Sequence, residues 1–236
     1  MSNRLIAGLP EADFERLLPH LELVPLPSGK ALYEAGEVQQ YVSFPISGIV
    51  SLLHTMQDGF SEEIGVVGNE GMVGVSLLMG GESTPSRAVV QSPGYGYRLK
   101  GTILQAECER SPSLHYLLLR YTQSLITQIT QTAACNRHHA VEQQLCRWLL
   151  LTLDRQPEND ATTTIIGNIP GMHRDGVTEA VSILQAAGLI TYTDGKISVL
   201  DRLKLEARAC ECYGAVRRET DRLFPKLEIA TRTRQG

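Results

Sequence analysis

Apolar and polar positions change rhythm several times along this chain. Between residues 10 and 21, Phe14, Leu17, Leu18 and Leu21 share one face of a short helix, and Pro25 and Pro27 stop it from continuing. Over 29–101 the helical spacing disappears. Thirteen of the chain's 21 glycines fall there, between short β-rich runs at 41–44, 49–53, 63–67 and 87–90. Many short strands set between glycine turns predict a β-roll or jelly roll. From 112 to about 136 helical spacing returns. Leu114, Leu118, Tyr121, Leu125 and Ile129 form one stripe, which Ile126 and Ala133 thicken. A second helix, about 139–155, presents Val141, Leu145, Trp148, Leu149 and Leu153. The polar segment 156–161, with Pro157, reads as the entry to another unit.

The last third is the most informative. Val177, Ala180, Val181 and Leu184 stand at i, i+3, i+4 and i+7, one buried helix face. Arg174, Thr178, Ser182 and Gln185 run down the opposite side, with Asp175 and Glu179 beside them. Asp175 falls in the first turn, where a carboxylate suits the helix dipole, and Gly188 stands where a C′ glycine would end the helix. Two apolar runs, 189–192 and 197–200, flank Asp194-Gly195, a strong hairpin signal. A helix with polar first turns and an apolar rear, followed by a tight hairpin, predicts a winged helix-turn-helix whose first turns face base edges in a major groove. An ordinary amphipathic helix before an ordinary hairpin has the same spacing, so the pattern leaves both readings open. Leu205, Ala209, Cys212, Val216 and Leu223 then continue an amphipathic helix to about residue 224.

Gly171, Arg174, Asp175, Val177, Leu184, Gly188, Leu189 and Ile190 resemble the recognition-helix signature of the Crp/Fnr superfamily of bacterial transcription regulators. The runs 30–37 and 46–50 are similar to the opening strands of its effector domain. The resemblance covers nearly the whole chain and implies an α+β protein. Its parts would be an N-terminal helical segment at 1–21, a cyclic-nucleotide-binding-like β-roll at 22–110 and a dimerisation helix at 111–137. A winged helix-turn-helix at 138–200 and a C-terminal helical extension at 201–236 would follow. It implies a homodimer reading a near-palindromic double-stranded DNA site with the helix at 172–187, and a contact with RNA polymerase. On this reading Arg174 makes a bidentate contact to guanine, and Asp175 and Glu179 accept from cytosine or orient Arg174. His173 and Thr178 reach phosphate or bases, and Thr162 and Thr164 stand where the preceding helix would touch phosphate.

Two segments depart from the family pattern. The helix before the recognition helix should open at Thr162, yet 162–166 is five β-branched residues in a row and Pro170 blocks any extension. A short or strained helix is expected there. Members that bind cyclic nucleotides carry a Gly-Glu pair, then an Arg followed by a small residue. The Glu accepts from the ribose hydroxyl and the Arg neutralises the cyclic phosphate. Here Arg87 and Ala88 fit, but Gly74 is followed by Val75, which cannot accept a hydrogen bond, and the loop between is about two residues longer. Arg87 has an alternative role as a surface arginine paired with Glu82 or another carboxylate. The effector pocket of Gly74, Val75, Arg87 and Ala88 therefore leaves the effector open. A cyclic-nucleotide-responsive regulator and a nucleotide-sensing module without DNA binding are the alternatives.

Composition adjusts this picture. The net charge is −4, but residues 1–160 hold 11 Lys/Arg against 17 Asp/Glu and residues 161–236 hold 11 against 9. That change of sign fits a small DNA-facing module on an acidic body. Asp and Glu are absent between Glu109 and Glu142, and Arg120 is the only Lys or Arg between Arg110 and Arg137. A helix so poor in charge is covered on more than one side, as the core helix of a monomer or the seam of a dimer. The chain has 42% hydrophobic and 20% charged residues, no signal-peptide build and no apolar run near the ~20 residues of a span. A cytoplasmic protein without a membrane partner is expected. Five cysteines, Cys108, Cys135, Cys146, Cys210 and Cys212, make neither a disulfide framework nor the N-terminal cluster of an iron–sulfur sensor. Cys210 and Cys212, two apart on a helix, would face different ways and make a poor chelate, so the thiols read as structural, with no metal and no cofactor expected. His54, His115, His138 and His139 are the histidines open to a haem sensor. Only His54 lies in the β-rich region, against a cupin-type metalloenzyme, and no G-x-S-x-G, P-loop or H-E-x-x-H occurs, so no enzyme is expected.

Overall fold

The computed structural model describes residues 3–156, 162–163, 174–194 and 196–224. Two short helices, α1 (Arg4–Ala7) and α2 (Glu11–Leu17), and a 3-10 turn lead into a β-roll. The roll consists of β1 (Glu22–Leu26), β2 (Ala31–Tyr33), β3 (Tyr41–Pro45), β4 (Ile49–Thr55), β5 (Ser61–Val67), the one-turn helix α3 (Val75–Leu78), β6 (Ser86–Ser92) and β7 (Gly94–Lys100). Its strands pair antiparallel in the orders β1-β7-β3 and β2-β6-β4-β5. Helices α4 (Gly101–Arg110), α5 (Pro112–His138) and α6 (Val141–Asp154) follow. The last part contains β8 (Thr162–Thr163), α7 (Arg174–Ala186), the hairpin β9 (Ile190–Thr193) and β10 (Lys196–Val199), then α8 (Arg202–Arg208) and α9 (Glu211–Leu223).

The glycine-punctuated strands form as the sequence pattern predicts. β6 alternates cleanly, with Ser86, Ala88 and Val90 inward and Arg87 and Val89 turned away. β4 does not alternate, because Ile49 to Leu52 are all buried. Val50 and Leu52 belong to the core inside the roll, whereas Ile49 and Val66 join a second core built on α6. The middle of this sheet is thus covered on both faces.

The sequence pattern does not separate helix α4 from the strands before it. This helix buries Leu104 and Cys108 and ends at Ser111, whose extended backbone breaks it from α5. Ser111 caps α5 by accepting from the Leu114 N–H at 3.2 Å, and its hydroxyl donates to Asp13 at 2.7 Å. Pro112 then occupies the first turn, where its missing N–H is harmless.

The 27-residue α5 spans roughly 40 Å. Leu114, Leu118, Tyr121 and Leu125 pack on the roll as expected, with Ile129 half-buried. Ile126 and Ala133, expected to thicken that stripe, are exposed on other faces of the helix. The Tyr121 hydroxyl donates to the Met72 carbonyl at 2.9 Å, and its ring lies so close to Gly71 that a Cβ there would sit 2.4 Å from the phenolic oxygen. Gln128 meets the outer edge of β5. Its amide accepts from the Val66 N–H at 2.9 Å and donates to the Val66 carbonyl at 3.1 Å, filling both backbone positions that an edge strand leaves open.

The expectation for Thr162 is corrected here. Instead of opening a helix, Thr162 and Thr163 form β8, pairing with Ser198 and Ile197 in a sheet ordered β8-β10-β9. Crowding at Cβ, which disfavours the helix, suits the strand. Residues 164–173, with Pro170, lie outside the described residues.

Glu63 joins the two cores. It is 6% exposed, accepts from the Ser51 hydroxyl at 2.6 Å and accepts from the Trp148 indole N–H of α6 at 2.7 Å. Burial pushes its carboxyl up to about 7. A carboxyl raised on folding holds its proton more tightly in the native state, so it favours folding below the ordinary carboxylate range and loses that contribution as pH rises through about 7. Glu63→Gln should therefore raise stability at pH 8 by up to about 3 kcal/mol while leaving pH 4.5 little changed. Urea unfolding at both pH values is the measurement. An unchanged pH slope in the variant would place the ionisation elsewhere.

Candidate functional site

Helix α7 is held from behind and open in front. Ala180, Val181 and Leu184 are buried against α6 and the hairpin, with Val177 half-buried. Gly176 lies at the start of α6, where a Cβ would meet the Val141 side chain at 3.2 Å. Thr178, Glu179, Ser182 and Gln185 are exposed on the outer side, and the Ser182 hydroxyl donates to the Thr178 carbonyl at 2.9 Å. Gly188 takes φ +68°, ending the helix as its position predicts. Asp194 takes φ 51°, the positive value a two-residue hairpin turn needs, while Gly195 lies outside the described residues.

Of the residues expected to meet DNA, Thr178 and Glu179 are therefore together on the outer face. Arg174 and Asp175 open α7, and their side chains, like His173 and Thr164, lie outside the described residues. Thr162 stands in β8 beside the hairpin.

The expected effector residues are not gathered in one place. A cavity of about 260 Å³ lies between the roll and α5, walled by Leu52, Ile64, Met72, Val75, Leu125 and Ile129. Gly74 and Val75 line it. Ser76, Thr84, Ser86 and Thr122 offer hydroxyls, and no charged residue among those described reaches its wall. The alternation of β6 sends Ser86 to the cavity, buries Ala88 in the roll core and turns Arg87 outward to Glu34, 2.9 Å away. The partner of Arg87 is thus Glu34 rather than Glu82.

The sequence reading of the cysteines also needs correction. Cys210 is not inside a helix: it is the extended N-cap residue of α9, after the break at the end of α8. That break turns Cys210 and Cys212 toward Cys135 and His139 at the end of α5. The Cys210 thiol is pulled down, chiefly by its hydrogen bond with Cys135, and the same contact pushes Cys135 up. Burial pushes Cys212 up to about 11. Cys135 and His139 at helical i, i+4 spacing were a usable signal, too weak alone to connect with a pair more than 70 residues away.

Residues 23–111 match the family model of the cyclic nucleotide-binding domain, and residues 143–208 match that of the Crp-like helix-turn-helix domain. No curated protein sequence matches the chain. Among solved structures, FixK2 from Bradyrhizobium japonicum superposes with a TM-score of 0.67 at 17% identity, over 80% of this chain and 98% of that one. The c-di-GMP-responsive global regulator CLP from Xanthomonas campestris gives 0.62 at 16%, over 81% and 100%. A CRP-family transcriptional regulator from Thermus thermophilus gives 0.62 at 17%, over 79% and 96%.

A cyclic nucleotide entering this cavity would bring an anionic phosphate to a wall without a counter-charge, and its ribose hydroxyl would meet Val75. One unsatisfied polar group costs roughly 1–3 kcal/mol, so affinity should fall at least about tenfold below that of a complete site. Titration calorimetry with cyclic AMP and cyclic GMP should find no micromolar binding. Micromolar affinity abolished by Arg87→Ala would mean that Arg87 leaves Glu34 and turns to the ligand.

Proposed function

The chain belongs to the Crp/Fnr superfamily, and from that membership we propose that it is a homodimeric, sequence-specific transcription regulator that reads a near-palindromic site on double-stranded DNA with α7. The observation that carries this reading is the setting of α7. Its apolar side is fixed on α6, Thr178, Glu179, Ser182 and Gln185 are exposed on its outer side, and a β-hairpin follows directly. Arg174 is the guanine reader. Asp175 and Glu179 accept from cytosine or orient it, His173 and Thr178 supply neighbouring contacts, and Thr162 and Thr164 contact phosphate. The regulator acts through RNA polymerase in the cytoplasm and is not an enzyme. No described helix is long and apolar enough to cross a membrane.

The partner of α5 is a second copy of this chain. Tyr116, Leu119 and Ile126 are 67%, 44% and 54% exposed on a helix almost without charge. Spacings of three and seven repeat the seam of two paired helices, and a two-fold axis along it would present two copies of α7 to successive half-sites. The effector of the roll is an unidentified, largely apolar molecule bearing hydroxyl-bonding groups, in the cavity lined by Leu125, Ile126 and Ile129 of this same helix.

Two substitutions test this. Arg174→Ala should cost roughly 1–3 kcal/mol on a site selected from random DNA and relax preference at one base pair, while Arg218→Ala, on the exposed side of α9, should leave the preference intact. Equal losses on selected and scrambled DNA, read by fluorescence anisotropy, would remove Arg174 as the reader. Ile126→Asp is the probe of the seam, since Leu125 beside it is buried in the roll core and its loss would unfold the domain. That variant should sediment as a folded monomer without specific DNA binding. A DNA-competent dimer would move the interface elsewhere.

A further inference from the structure

We propose that Cys135, His139, Cys210 and Cys212 form a mononuclear site for a thiophilic divalent cation, zinc by preference, that ties the α8–α9 extension to the end of α5. One donor atom from each of the four residues lies within 4.8 Å of every other. The Sγ atoms of Cys135 and Cys210 are 3.5 Å apart, and the Cys212 Sγ is 3.7 Å from His139 Nδ1. Metal–sulfur bonds of ~2.3 Å and metal–nitrogen bonds of ~2.0 Å in a tetrahedron put ligand atoms about 3.5–3.8 Å apart. The two measured edges have those lengths. A four-iron cluster spreads its ligands around a cube of metal and sulfide and needs them farther apart.

Three surrounding features fit an ion better than a patch of apolar thiols. The cysteines are free, and their sulfurs pack with one another rather than with either main core. His139 turns its second nitrogen, Nε2, to Glu211 Oε1 at 3.3 Å, the carboxylate–histidine arrangement that fixes the tautomer of a metal-bound imidazole. Arg147, 4% exposed, lies near Cys135 and Cys212, donates to the Thr132 hydroxyl at 3.1 Å, and leaves its Nε without a hydrogen-bond partner among the described residues. A dication held by three thiolates and a neutral imidazole carries one net negative charge, which a buried guanidinium beside it offsets. Binding releases the thiol protons, so it strengthens as pH rises.

The ligands come from both sides of a junction. Cys135 and His139 end α5 just before α6, while Cys210 and Cys212 open α9, which packs back along α5 through Ser124–Thr220 at 3.0 Å and Gln123–Glu219 at 2.9 Å. An ion there would lock the extension onto the helix from which the DNA-reading unit departs.

The test uses the full chain, purified under reductant. Elemental analysis should find about one zinc per chain, and titrating the chelator-treated protein with Co²⁺ should give thiolate-to-cobalt charge transfer and tetrahedral d–d bands that saturate at one equivalent. Cys212→Ser and Cys210→Ser should abolish the spectrum, Glu211→Gln should weaken cobalt binding at least about tenfold, and Cys108→Ser and Cys146→Ser should leave it unchanged. Folded wild-type chain, verified by circular dichroism, that gives no thiolate–cobalt band would overturn the site without recourse to any variant. Several irons with inorganic sulfide, or equal loss from Cys146→Ser, would overturn it as well.

Discussion

Everything in this molecule is arranged around one contact, that of α5 with the open edge of the roll. A sheet ordered β2-β6-β4-β5 ends in β5, whose outward N–H and carbonyl groups would otherwise invite another strand. Gln128 occupies both of those positions at Val66 with a single amide. Seven residues earlier on the same helix, Tyr121 holds the Met72 carbonyl over the bare backbone of Gly71. These two polar anchors sit on either side of Leu125, so the helix cannot turn about its axis without losing one of them. Each would leave a buried group unpaired at roughly 1–3 kcal/mol. The rotation of α5 is thereby fixed, and with it the direction of its exposed apolar face.

The same sheet carries the rest of the chain on its other face. Ile49 and Val66 pack against α6, and two polar links fasten the joint. One is Glu63 with Ser51 and Trp148. The other is the ion pair of Arg155 with Glu70 at 2.9 Å, with side chains 7% and 12% exposed. Buried links of this kind add little net stability over apolar packing, but breaking one partner is costly, so they define a single relative placement. Their value here is geometric: α6 is also the helix that carries α7.

Much of this is readable from residue patterns, and the failures have physical causes. The strands between glycines, the apolar face of α7 and its Gly188 stop follow from local spacing and backbone preference, which act within a few residues. Helix α4 escapes because it follows β7 directly and the cue for its end, Ser111, works through a distant partner, Asp13. Ile126 reads as part of the roll-facing stripe because periodicity places a residue on a helix but does not say what covers each side. The β-branched run from Thr162 suits a helix poorly on any reading; only the pairing of Thr162 and Thr163 with β10 shows where those two residues go instead. The cysteine and histidine cluster is only half legible in the sequence, as the i, i+4 pair Cys135 and His139, because its other half lies 75 residues from Cys135 at a helix break that ideal helical spacing hides.

The departure at Val75 looks different once the cavity is in view. Read along the chain, it is a missing acceptor beside a retained Arg87. In three dimensions Arg87 is committed to Glu34 on the far side of β6, and the wall that Val75 joins is largely apolar, with hydroxyls as its only polar side-chain groups among the described residues. A half-exposed ion pair such as Arg87–Glu34 is worth little, about 0–1 kcal/mol, so it does not itself keep an anion out. The barrier to an anion would come from the wall, where a charge would be desolvated without a partner. An apolar ligand meets the opposite balance. At about 25 cal/mol per Å², covering ~100 Å² of it contributes roughly 2.5 kcal/mol, and part of the surface doing so belongs to Leu125 and Ile129. Because Tyr121 and Gln128 bracket Leu125 and adjoin Ile129, a molecule filling the cavity would press on α5 at a stretch of that helix held on either side.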